Sequence, residues 1–171
     1  MFFYLRDPKI LFSFQIVRLI DADDEKFHSV IGNAGLNKLQ KSEVRYLREF
    51  VYVMEPVATA LDILQRDNDM YIGYLNPVVL RMEANLKARR LKDGKALVYC
   101  EALLNTLIKA IRTERRFLPF LENEELKLAS CLIPMFKMDW VADPMEKTSL
   151  RANLVGLMKQ VDLTWDSKGI I

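Results

Sequence analysis

The side chains that could do chemistry are few. His28 is the only histidine in the 171 residues, so any nucleophile–histidine–acid triad or histidine-rich metal centre would have to be built on it. Its neighbours Phe27 and Val30 place it in a short helical pattern and read as the setting of a surface or half-buried structural histidine. Cys100 and Cys131 are far apart and belong to no CxxC, which argues against a zinc site or a disulfide scaffold and suits a reducing, intracellular compartment. Both fall on apolar helical spacings, where cysteine behaves as a small hydrophobe; a dyad with His28 is the alternative.

Carboxylates offer a second possibility. Glu55 and Asp62 lie two turns apart on one helix face, and Asp67 and Asp69 flank Asn68 just beyond. Such groups can hold magnesium between phosphates. The Asp67 turn lacks the spacing of a calcium loop, however, and Glu55 with Arg48 forms a solvated charge stripe equally well. No metal site and no cofactor is expected.

Two basic groups remain: Lys87, Arg89, Arg90 and Lys92, and then Lys109, Arg112, Arg115 and Arg116. Each gathers at a helix C-terminus, where cations complement the helix dipole. In an up-down hairpin the two groups would lie at opposite ends, so they make no single phosphate track. Lys109, Arg112, Arg115 and Arg116 are the candidate nucleic-acid contact. The chain has 25 Lys and Arg against 23 Asp and Glu, a formal charge of only +2, and so lacks the basic excess of a protein that binds by phosphate neutralisation. There is no phosphate-cradling GxGxxG or GxxxxGK[ST], and no acid, base and nucleophile converge. An independent enzyme is not the expected reading.

The elements that carry these residues are helical. Ser42 to Gln65 is a long amphipathic helix with Leu47, Phe50, Met54, Val57, Leu61 and Leu64 on one face. Ser42 is its expected cap, and Pro56 is expected to kink or restart it, because the Tyr52 carbonyl loses its helical partner. Asp7–Pro8 opens an earlier helix, and Asp21, Asp23, Asp24 and Glu25 start a short one that stops near Gly32 to Gly35. Residues 70–76 read as an irregular or briefly extended link. Pro77 begins the next helix and Asp93–Gly94 ends it, followed by another from about Lys95 to Arg116 that Leu118–Pro119 breaks. Asn123 caps a short helix, and Asp143–Pro144 opens a last one bearing Leu150, Leu154, Leu157 and Val161. No repeat and no alternating strand is evident. The pattern predicts one all-α domain over 1–171, an antiparallel bundle of about seven helices.

The opening, MFFYLRDPKILFSFQIVRLI, is interrupted by Arg6, Asp7, Lys9 and Arg18, so it predicts neither a signal peptide nor a membrane span. The apolar residues directly after Met1 read as the interior of a longer sequence, and truncated edges are expected.

The order of the pieces carries more than any one of them. The helix with Phe50-Val51-Tyr52-Val53-Met54-Glu55-Pro56 leads into Ala60-Leu61-Asp62-Ile63-Leu64-Gln65, then Tyr71-Ile72-Gly73-Tyr74-Leu75-Asn76-Pro77. Two helices later comes Leu128-Ala129-Ser130-Cys131-Leu132-Ile133-Pro134-Met135-Phe136-Lys137. This ordered set, over roughly Leu36 to Val141, resembles the helical insertion of hAT-superfamily transposases and of host proteins domesticated from them. The element ending in Lys137 is similar to the family's Leu-Asp-Pro-Arg-Phe-Lys segment, with Ile133 in place of Asp and Met135 in place of Arg.

The resemblance implies a fragment. The family's RNase H-like core supplies two catalytic aspartates upstream and a glutamate downstream, and neither these nor the BED-type zinc finger have counterparts here. No catalytic residue carries over, so the resemblance implies no strand transfer, residual DNA binding and a nuclear location. The alternative is a helical protein-interaction domain without DNA binding. If a catalytic core covers one face in the parent, this chain exposes an apolar patch and self-associates; Phe2, Phe3, Tyr4 and Phe12 are candidates for that patch.

Overall fold

The computed structural model describes residues 8–66, 70–92, 95–113 and 117–167. Eight α-helices occur among them: α1 (Pro8–Ala22), α2 (Asp24–Asn33), α3 (Lys41–Leu64), α4 (Leu75–Ala88), α5 (Glu101–Thr113), α6 (Leu118–Glu122), α7 (Glu124–Cys131) and α8 (Pro144–Ser167). The expected all-α class holds, with one more helix than the pattern suggested.

α3 is the centre of the bundle, packed between α1 and α4, and α4 in turn meets α5 and α7. Phe14 of α1 reaches Met54 and Ala58 of α3, while Asp21 pairs with Arg48 at 2.7 Å, so α1 and α3 run antiparallel. The same holds for α3 and α4: Arg89 reaches back to Glu55, and Tyr74 and Pro77 share a cleft with Ala60, Ile63 and Arg66. The main core joins Val53, Val79, Leu86, Leu97, Cys100, Leu104, Ile111 and Leu121. The apolar rows of α3, α4 and α5 close on one another here, joined by Leu97 and Cys100 from the segment before α5 and by Leu121 of α6, which removes these side chains from water.

Several boundaries differ from the sequence expectation for local reasons. α3 starts one residue early because Gln40, not Ser42, is its cap: the Gln40 amide donates to the Glu43 carboxylate at 2.7 Å, half of a capping box. Pro77 is the third residue of α4 rather than the first. Its missing amide still falls in the first turn, where no helical acceptor exists. A two-residue antiparallel ladder, Leu91–Lys92 with Lys95–Ala96, follows α4, where no strand was expected. α5 begins at Glu101 rather than near Lys95. A short 3-10 turn, Ile72–Tyr74, fills the expected irregular link.

Two caps match expectation. Asn123 accepts from the Leu126 amide at 3.0 Å, and Asp143 accepts from the Met145 amide at 3.0 Å. The Asp7 cap and the Asp67-Asn68-Asp69 turn lie outside the described residues. The 3-10 turn is fixed by close approach: a Cβ on Gly73 would stand 2.4 Å from the Ala129 carbonyl oxygen of α7.

Candidate functional site

The polar residues that the bundle brings together are mostly committed to one another. Glu83 of α4 is 2 % exposed and lies in the apolar row Val79–Glu83–Leu86. Its carboxylate takes two contacts from Arg112, with Nε at 2.9 Å and a terminal nitrogen at 2.6 Å, and one from Lys87 at 2.7 Å. Burial pushes this carboxyl up, but the hydrogen bonds from Arg112 and Lys87 outweigh it and hold it below the usual range; Glu83 in turn raises Arg112. One member of each basic group thus meets on the same acid, contrary to the expected separation.

Of the four candidate DNA contacts, Arg112 is therefore engaged within the bundle, Lys109 is exposed, and Arg115 and Arg116 lie outside the described residues. Arg89, from the other basic group, bonds the Tyr52 carbonyl, pairs with Glu55 at 2.7 Å and stands 4.6 Å from the centre of the Tyr52 ring. Arg48, expected beside Glu55, takes Asp21 instead.

Glu49 was not singled out by sequence, yet it organises the start of α5. It is 4 % exposed, and one carboxylate oxygen accepts from the amides of Val98, Tyr99 and Cys100 at 3.0, 2.8 and 3.3 Å. Burial raises its carboxyl, while these three amides and Arg45 more than compensate and lower it. A carboxylate at the positive end of a helix explains why the chain turns at 98–100 before α5 begins.

The remaining candidates do not converge. His28 Nδ1 lies 2.8 Å from the Asp24 carbonyl, a contact within α2. Cys100 is buried and Cys131 partly so; burial raises both thiols, and Glu49 and Glu146 add to this respectively, which disfavours the reactive thiolate. Asp62 is partly buried with Oδ1 lacking a hydrogen-bond partner, and its carboxyl is raised by burial against the pull of Arg66. Among the described residues no three His, Cys, Asp or Glu cluster as metal ligands. No helix among them is long and apolar enough to cross a membrane.

The most distinctive surface is on α8. Leu150 is buried, and Glu146 pairs with Lys127 of α7 at 2.5 Å, so the first turns dock on α7. Leu154 is half-buried, and from Val155 to Val161 every side chain is exposed. The expected core row Leu150–Leu154–Leu157–Val161 is thus buried at Leu150 and exposed at Leu157 and Val161. Leu157 and Met158 stand 46 % and 64 % exposed. Phe12 of α1 is also exposed, as expected; Phe2, Phe3 and Tyr4 lie outside the described residues.

No protein-family model, curated protein or solved structure matches this chain.

Proposed function

We propose that this chain is a helical protein-interaction domain whose contact element is the distal half of α8. The observation that carries the reading is the apolar row of α8 continuing from buried Leu150 to exposed Leu157. An apolar helix face of this kind is a groove-binding or helix-pairing element. A second copy of the chain is the simplest partner.

The hAT resemblance supplies the second reading, a catalytically inactive transposase-derived fragment that retains DNA contact. Exposed Lys109 supports it, and the commitment of Arg112 to Glu83 weighs against it. On this reading a nuclear location follows the family.

Sedimentation equilibrium separates the two when combined with anisotropy of a labelled random duplex at rising salt. The interaction reading expects concentration-dependent association that Leu157→Glu with Met158→Glu abolishes, and no duplex binding. A monomer at every concentration would sink it as a self-association domain. Salt-dependent duplex binding that weakens in Lys109→Gln with Arg115→Gln and Arg116→Gln would favour the DNA reading. Arg112 is spared in that variant, because its removal would leave the buried Glu83 with Lys87 as its one cation among the described residues.

A further inference from the structure

A cleft opens between α3, α4 and the turn that follows α7. Its volume is about 360 Å³ and its floor is apolar, built from Pro56, Ala60, Ile63, Val78, Met82 and Phe136. That size falls within the range of about 300 to 1,000 Å³ typical of small-ligand pockets. Its lining also carries two exposed guanidinium groups, Arg66 of the segment after α3 and Arg81 of α4, together with the polar side chains of Thr59, Tyr74 and Asn85.

Among the described residues neither arginine has an ion pair. Arg45, Arg48, Arg89 and Arg112 each grip a carboxylate within 3.3 Å. Arg81 has no ion pair among the described residues, although Asp139 lines the adjoining hollow. Arg66 feels Asp62 one turn back, but only as a field and without a hydrogen bond.

An apolar floor beside two guanidinium groups complements a molecule with an apolar body and one anionic head. The body would displace water from the floor, and the head would take charge-assisted, fork-shaped hydrogen bonds. We propose that this cleft binds a small amphipathic carboxylate, a medium-chain acyl acid being the simplest member of the class. The site is separate from the exposed face of α8 and does not depend on its role.

The test is calorimetric titration of the full chain with decanoate below its micelle concentration, with decanol as the uncharged control. Saturable one-site binding of decanoate, at least tenfold tighter than decanol, is expected. Arg81→Gln and Arg66→Gln should each weaken it several-fold, whereas Arg81→Lys should retain part of it; both side chains replaced are exposed, and circular dichroism checks the fold. Trp140 lines the adjoining hollow, which shares Arg81, Met135 and Phe136 with the cleft, so its emission should shift on titration. Absence of saturable decanoate binding, equal affinity for decanol, or unchanged affinity in both glutamine variants would overturn the proposal. So would binding of an acidic amphipathic peptide where decanoate does not bind.

Discussion

Three carboxylates show how the same functional group can be stabilised or strained by its surroundings. Glu49 and Glu83 are nearly removed from water, yet donors converge on each and hold both carboxyls low. Each favours the folded state above its unfolded pKa, and that contribution is lost as pH falls through the lowered folded value. Removing the partners of a buried acid such as Glu83 would cost about 3–5 kcal/mol. Asp62 has the opposite sign. Burial raises its carboxyl, Arg66 only partly offsets this, and Oδ1 has no hydrogen-bond partner. Its contribution is fully present below its unfolded pKa and is lost as pH rises through the raised folded value, so at neutral pH the charge is a cost. Asp62→Asn should therefore raise the melting temperature at pH 7, with the gain shrinking toward acid pH. A lower melting temperature at pH 7 would show that the Arg66 attraction outweighs burial. In the sequence, Glu83 could have been found: it interrupts the Val79–Glu83–Leu86 apolar row at core spacing, which marks a carboxylate that must be paired. Glu49 gave no such signal, because its partners are backbone amides some 50 positions downstream, at Val98, Tyr99 and Cys100.

At the scale of elements, the same principle explains why α3 passes through a proline. Pro56 donates no hydrogen bond, so the Tyr52 carbonyl would lack a partner, yet α3 continues from Lys41 to Leu64 without a break. Arg89, from the end of α4, supplies the donor across the helix pair and adds its pairing with Glu55 and the Tyr52 ring. The break expected from sequence is repaired by a tertiary contact. This predicts coupling between two residues that are distant in sequence. Arg89→Met in the native background should destabilise the fold by about 1–3 kcal/mol, the cost of an unsatisfied buried group and its lost partners. In a Pro56→Ala background the alanine amide can take the Tyr52 carbonyl, so the same change should cost about 1 kcal/mol less. Denaturant unfolding of the four proteins gives this coupling, and additivity would refute the donor role of Arg89. Local signals made α2, α7 and the start of α8 legible, since Asp23, Asn123 and Asp143 cap by contacts within a few residues. The start of α5 and the ladder before it were not legible: one is set by Glu49, and the other is too short for alternation to show.

For the whole molecule, stability is unevenly distributed. The rows of α3, α4 and α5 bury Val53, Leu86 and Leu104 almost completely, whereas α8 is buried at Leu150 and exposes every side chain from Val155 to Val161. A helix held mainly by its first turns gains little from packing beyond them, and an isolated stretch that short is marginal in water. Opening of distal α8 should therefore be a local event, while opening of the α3–α5 core requires global unfolding. Hydrogen exchange at low protein concentration should show fast exchange after Leu154 and the slowest amides around Val53, Leu86 and Leu104. Equal protection along α8 and α3 would refute this division. The concentration dependence is the more informative result. If distal α8 is the contact element, protection there should rise as copies associate, while the core amides, already limited by global unfolding, should change less. The same apolar row that is least stable in the lone chain would then be the part that association orders.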